Sequence, residues 1–467
     1  MSFETVLRVL TDWVYPAVLV VAFFAVTIFV HELGHFLVAK RRRMVIERFS
    51  IGFGPKIFGW VKDGIDYRVS WLPFGGYVAL PQMSPMEAIE GGTEAKREEL
   101  PVAPPSSRIL VALAGPAMNM VFALALAAII WGVGAPANLP VIGWVEPDSA
   151  AGRSGLHSDD RITAVNDEKV DTWEQFLETV AFSREPMVKV TVTRDGHSLS
   201  YLLETKVNEK LGVKMIDLNP KEHPFARSVK AGSAAAAAGI QPGDQFVSIE
   251  GMPIYSSEQV IKLIRTRRDE PTVIKMLRDG KPVVMTVVPA FDPKDQVARI
   301  GVMLGDEMQL QRPGPTPMAQ FTEVFRSMGR LVGAIYHSKE TGVSVRNIQG
   351  PVGILPAWWY EIVLGGIRRG MVIAVLLNIN LAILNLLPFP VLDGGHILFA
   401  VVEILRRKPL NTRLVHITSM ASAVALITFI AYVSWNNLEQ WFLPDRAPAA
   451  AVHGSEPTPA SQPAPQP

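Results

Sequence analysis

The sequence predicts a multi-span α-helical membrane protein, with four transmembrane helices, two inserted α+β domains and a membrane-associated β-hairpin. Three observations predict it. Four uncharged stretches, roughly 13–30, 109–132, 371–392 and 414–435, are long enough to cross a bilayer, which takes ~20 mostly apolar residues. Segment 135–370 is too polar for lipid and contains an internal repeat. Between the first two spans, two stretches alternate apolar and polar residues on either side of Lys62, Asp63 and Gly64, as a hairpin does. Composition agrees: apolar residues make up 49% and charged residues only 19%, against a usual ~25%. A formal net charge of +1 argues against a nucleic-acid partner. With no cysteine, disulfides and thiolate ligands are excluded, and any metal must be held by His, Asp, Glu or water.

The elements follow in order. The first helix, within 1–44, is followed by Lys40, Arg41, Arg42 and Arg43 and lacks a small-residue cleavage site, so it reads as a retained span rather than a signal peptide. Residues 45–107 hold the hairpin and a cytoplasmic loop, and 108–134 the second helix. Basic residues flank the inner ends of the spans: Lys40 to Arg43, Arg108, and Arg406, Arg407, Lys408 and Arg413. By that rule these loops are cytoplasmic, and both termini and 135–370 lie on the outer side, the periplasm of a Gram-negative cell. Two copies of one pattern, 84 positions apart, share Ser149/Ser233, Ala150/Ala234, Ala151/Ala235, Gly155/Gly239 and Asp160/Asp244. That period suits tandem small domains rather than a solenoid. Next come an amphipathic connector at 317–354, a third transmembrane segment at 370–405 and a fourth helix at 414–438. A Pro- and Ala-rich tail at 446–467 is expected to be disordered.

The chemistry is concentrated inside the apolar segments. His31, Glu32 and His35 form HELGH at the inner end of the first span. Positions i and i+4 of a helix share a face, so two imidazoles can grip one zinc ion while the adjacent carboxylate reaches its water. Ionisable residues at membrane depth are functional by default. Catalytic zinc usually takes three protein ligands. NLLPFPVLDGGH in the third span offers Asp393, with His396 as a competing ligand. Pro388 and Pro390 interrupt the helix there, freeing carbonyls that lipid cannot satisfy. Asp393 approaches the cytoplasmic side, at the depth of HELGH.

These residues resemble the site-2 proteases, zinc intramembrane metalloproteases, and among them the RseP type. The resemblance rests on HELGH, AGPAMN (Ala114, Gly115, Pro116, Asn119), the repeated outer domains and NLLPFPVLDGG, and it covers nearly the whole chain. It implies that His31, His35 and Asp393 hold Zn2+ and that Glu32 is the general base and acid. It also implies that Asn385, Pro388, Pro390 and Asn119 bind substrate. The two copies resemble PDZ domains at 139–210 and 223–292. The second fits better, because the first has Ser158 and Asp159 in place of Pro-Gly, and Asp167 where the second has Gly251. RFSIGFGPKIFGW (48–60) and IDYRVSWLPFGGYVAL (65–80) look like the family's membrane-associated hairpin, whose edge could pair with an unwound substrate strand. The implied partners are a lipid bilayer and a single-span substrate such as an anti-sigma factor, first trimmed outside the membrane, with the PDZ pair as a gate. Two other classes are weighed beside this one. A membrane-anchored scaffold with an inert HELGH would bind no zinc, and a transporter would show related halves rather than a repeat confined to the outer segment.

Overall fold

A computed structural model describes residues 13–83, 103–136, 138–145, 149–208, 213–292, 297–306, 310–343 and 350–442. The expected tail, 446–467, lies outside them. Helix α1, Tyr15–Arg41, is apolar on every face, starts with Pro16 in its first turn and closes on Lys40 and Arg41. The HELGH residues therefore sit within a continuous helix. Strands β1, Arg48–Lys62, and β2, Ile65–Ala79, join through Asp63 and Gly64, both at positive φ. The ribbon folds over on itself, so Phe49 pairs with both Val78 and Tyr67, and Ser50 with both Tyr77 and Arg68. Its inner end packs on the membrane helices, with Phe36 of α1 edge-on to Phe49 at 5.4 Å between ring centres. The outer end leaves Phe58, Trp60 and Trp71 exposed.

Helix α2, Pro105–Val133, crosses α1 closely. A Cβ at Gly34 would lie 2.3 Å from the carbonyl oxygen of Ala114, so only glycine permits this approach.

The polar segment between the second and third apolar helices forms two β-rich units, called the outer units after the side that the basic loops lead one to expect. The first is an antiparallel sheet of β3 (Arg161–Val165), β4 (Glu168–Lys169), β5 (Met187–Arg194) and β6 (His197–Glu204) in the order β4-β3-β5-β6. Helix α3, Trp173–Ala181, buries Trp173 and Phe176 against that sheet. The second unit comprises β7 (Pro224–Val229), β8 (Gln245–Ile249), β9 (Met252–Pro253), helix α4 (Ser257–Arg265), β10 (Thr272–Arg278), β11 (Lys281–Val287) and β12 (Val302–Asp306). Its order is β11-β10-β8-β7-β12, with β9 on β8. The repeat reaches deeper than the matches read from sequence. Thr172 and Ser256 cap α3 and α4, each accepting from a glutamine N–H three residues on. Arg194 forks onto Asp160 and the carbonyl of Gly155, and Arg278 onto Asp244 and the carbonyl of Gly239. Every one of these pairs is 84 positions apart.

The connector is helical in two parts. Helix α5, Pro317–Tyr336, places Arg330 against Glu178 of α3 (3.2 Å) and Glu168 of the first unit. Helix α6, Pro351–Asn385, turns sharply at Gly366, where φ is 65°. In a straight helix Trp358 and Gly370 would be ~18 Å apart. Instead the Trp358 indole N–H donates to the Gly370 carbonyl at 3.1 Å, so the first leg folds back on the second. Arg227 of the second unit donates to the Val363 carbonyl on the first leg at 2.5 Å. After α6 come α7, Asp393–Arg406, and α8, Thr412–Phe442. Among the described residues, four helices are long and apolar enough to span a bilayer: Tyr15–Arg41, Pro105–Val133, Gly353–Asn385 and Thr412–Asn437.

Candidate metal centre

Three elements meet at one point. HELGH on α1 places His31 and His35 on one face, with ring centres 4.8 Å apart. Helix α6 stops at Asn385, the chain loops through 386–392, and α7 opens on Asp393. The two glycines after Asp393 are sterically required. A Cβ at Gly394 would meet the Leu387 carbonyl oxygen at 2.2 Å, and one at Gly395 the Phe389 carbonyl oxygen at 2.3 Å. Without side chains there, α7 starts tucked against the loop and delivers its carboxylate inward.

The Nε2 atoms of His31 and His35 lie 3.2 Å apart, and each is 3.4 Å from an Asp393 carboxylate oxygen. Two donors bound tetrahedrally to zinc at ~2.0–2.1 Å would themselves be about 3.4 Å apart. The donor set and its spacing therefore fit that ion. The cluster of metal-ligating side chains among the described residues is His31, His35 and Asp393. His396, the competing candidate, lines the same cavity but is not part of the cluster. His35 is oriented from behind: its Nδ1 is 2.7 Å from the Val111 carbonyl of α2, which leaves Nε2 facing the cluster.

Glu32 is buried beside the histidines and lines a cavity of about 190 Å³ with Tyr77, Val78, Asn385, Leu392 and Asp393. Strand β2 passes close by: a Cβ at Gly76 would lie 2.9 Å from Glu32 Cγ. Asn385 has its Nδ2 3.5 Å from His31 Nε2. Asn119 is fully buried, with its Nδ2 3.2 Å from His31 Nδ1. Pro388 is exposed and Pro390 half-buried in the loop, and neither lines the cavity.

The supporting roles of several residues were not readable from the sequence, even where the residue itself was noted. Gly115 makes room for both imidazoles, since a Cβ there would be 2.3 Å from His35 Nε2 and 2.8 Å from His31 Cε1. Asn378 of α6 donates to Thr27 of α1 at 3.0 Å, one turn before His31. Arg108 of α2 pairs with Glu403 of α7. The signal for the last two was present as polar and charged residues in or beside apolar spans, although their partners were not readable.

The description "Peptidase family M50" matches residues 19–429. The chain belongs to that family. As an M50 peptidase it is a metalloprotease, and zinc is the ion that suits two imidazoles and a carboxylate. The M50 chain is 27% identical to the regulator of sigma-E protease RseP of Salmonella typhimurium, over 89% of this chain and 96% of the relative. It is similar in the same measure to that of Escherichia coli, 27% identical over 89% and 96%. A putative zinc metalloprotease of Ralstonia nicotianae is 29% identical over 90% of this chain and 97% of its own.

Proposed function

We propose that this M50 peptidase hydrolyses peptide bonds within the transmembrane helix of single-span proteins, an anti-sigma factor among them, after an earlier cut outside the membrane. The observation that carries this reading is the meeting of His31, His35 and Asp393 at the ends of apolar helices, beside a cavity that also holds Glu32. The name that relatives carry, regulator of sigma-E protease RseP, agrees with it.

His31, His35 and Asp393 would hold the ion. When bound, zinc supplies Lewis acidity that polarises a carbonyl and activates water near neutral pH. Glu32 removes the proton of the attacking water and passes it to the leaving amine. Asn385, at the cavity wall, holds the substrate strand. Pro388 and Pro390 keep 386–392 from winding into helix, so its backbone stays open to a substrate. A transmembrane helix hides its carbonyls in its own hydrogen bonds, so cleavage favours helices with weak stretches that unwind. Segment 76–79 of β2, beside Glu32, offers an edge on which the unwound strand can pair.

The enzyme sits in a bacterial inner membrane with its centre towards the cytoplasm and the two outer units in the periplasm, as the basic loops argue. These units act as PDZ domains that bar bulky ectodomains. A single experiment tests the whole reading. Purified enzyme is given single-span substrates with a trimmed or a folded ectodomain, with and without chelator. Wild type should cut the trimmed substrate within its span, Glu32→Gln should keep zinc yet lose at least ~10²-fold in rate, and a chain lacking 139–292 should cut both substrates. Cleavage surviving in Glu32→Gln would remove Glu32 from the reaction, and an intact block after the deletion would remove the gate.

A further inference from the structure

We propose that Asn119 is the positioning residue that makes His31 a metal ligand, its side-chain oxygen accepting the Nδ1–H of that imidazole. Nε2 of His31 faces His35 and Asp393, at 3.2 and 3.4 Å, so this nitrogen must keep its lone pair free for a cation. A neutral imidazole with Nε2 bare carries its hydrogen on Nδ1. That N–H is buried among apolar helices, where a donor without an acceptor is unfavourable.

The atom facing Nδ1 belongs to Asn119, at 3.2 Å. Its amide is fully buried, and the oxygen of that amide has no hydrogen-bond partner as oriented with Nδ2 towards the ring. The two ends of an amide have the same shape and are told apart by their hydrogen bonds. Turning the amide about Cβ–Cγ gives the orphaned oxygen a donor and the imidazole N–H an acceptor. His35 has the matching arrangement, with its Nδ1 2.7 Å from the Val111 carbonyl. Helix α2 thus supplies an acceptor behind each histidine, Val111 for one and Asn119 for the other. Outer partners of this kind set the tautomer and the aim of a ligating histidine. The burial that suits this role also keeps Asn119 away from the cavity where substrate would lie, since it is not among the lining residues.

The inference rests on the zinc reading of the site, so the test measures zinc affinity and not cleavage. Full-length wild type, Asn119→Asp and Asn119→Leu in detergent are titrated with zinc against a fluorescent chelator, with thermal melting of the metal-free proteins alongside. Aspartate keeps an acceptor and has no amide donor, so it should bind zinc within about threefold of wild type, or more tightly. Leucine keeps the shape but accepts nothing and should bind about 10–100-fold more weakly, the usual effect of losing an outer partner. If Asn119→Leu does not fold, Asn119→Asp decides alone. A tenfold or greater loss in that variant means that the amide donates to the ring, which overturns the proposal. A leucine variant that folds and binds zinc like wild type also overturns it. Wild type without zinc affinity would instead overturn the reading of the site itself.

Discussion

One carbon added at position 115 would collide with both ligand rings, so Gly115→Ala is the sharpest steric probe of the centre. It should lower zinc affinity at least tenfold. Gly132→Ala, in the same helix with nothing within 4 Å of the added atom, should leave it unchanged. Chelator competition on the two proteins checks this, and equal affinities would contradict the close packing of α2 on the histidines. At this scale the sequence was readable where chemistry is local. The His31 and His35 spacing is one helical turn, and the motif carries its geometry with it. Asp393 was readable because a carboxylate after an interrupted apolar run has few other uses. Gly115, Thr27 and the Val111 carbonyl were not, because their roles arise only where separate helices cross.

Among elements, α7 must be held so that its first residue reaches the centre. The Arg108–Glu403 pair does this from the other end of α7, and Arg108 is only 5% exposed. Breaking a buried pair by removing one partner leaves an uncompensated charge and costs about 3–5 kcal/mol, whereas replacing both can be neutral. Glu403→Leu should therefore lower both melting temperature and zinc affinity, and Arg108→Leu/Glu403→Leu should recover much of the loss. A double variant no better than the single one would contradict that account.

In the outer units, burial raises the pKa of Asp160, but Arg194 and the His157 N–H outweigh it and hold the carboxyl below the usual carboxylate range. Asp244 is governed in the same way by Arg278 and the Gln241 N–H. A carboxylate with a depressed folded pKa stabilises fully above its unfolded value, ~3.9, and loses this contribution as pH falls through the folded value. Unfolding followed by tryptophan fluorescence should show a loss of stability below about pH 4, and Asp160→Asn should be less stable at pH 7 with a flatter acid limb. An unchanged acid limb would argue against the pair. Element identity was largely legible from hydropathy, alternation and the 84-residue repeat. The fold-back at Gly366 was not, since a Gly-Gly pair beside Arg368 and Arg369 does not say whether a helix ends, kinks or continues there. The double pairing of β1 was hidden for a related reason, because alternation fixes which residues share a face and not how a ribbon curls.

In the whole molecule, a centre is assembled from positions 31 to 393, with the polar segment 135–370 inserted between its halves. The two β-rich units are tied to the helices that lead into the third span, the first by Arg330 of α5 on Glu178 and the second by Arg227 on the Val363 carbonyl of the first leg of α6. Four spans and a polar insert were evident from composition because lipid and water select residues so differently. Long-range docking was not evident, since it depends on side-chain contacts that leave no periodic trace. The central claim is that these distant residues bind one ion together, and zinc K-edge X-ray absorption tests it most directly. The account predicts one zinc per chain with two imidazole nitrogens and a carboxylate oxygen at ~2.0–2.2 Å, and an altered shell with weaker binding in Asp393→Asn. Absent zinc, or a spectrum that Asp393→Asn leaves unchanged, would contradict it.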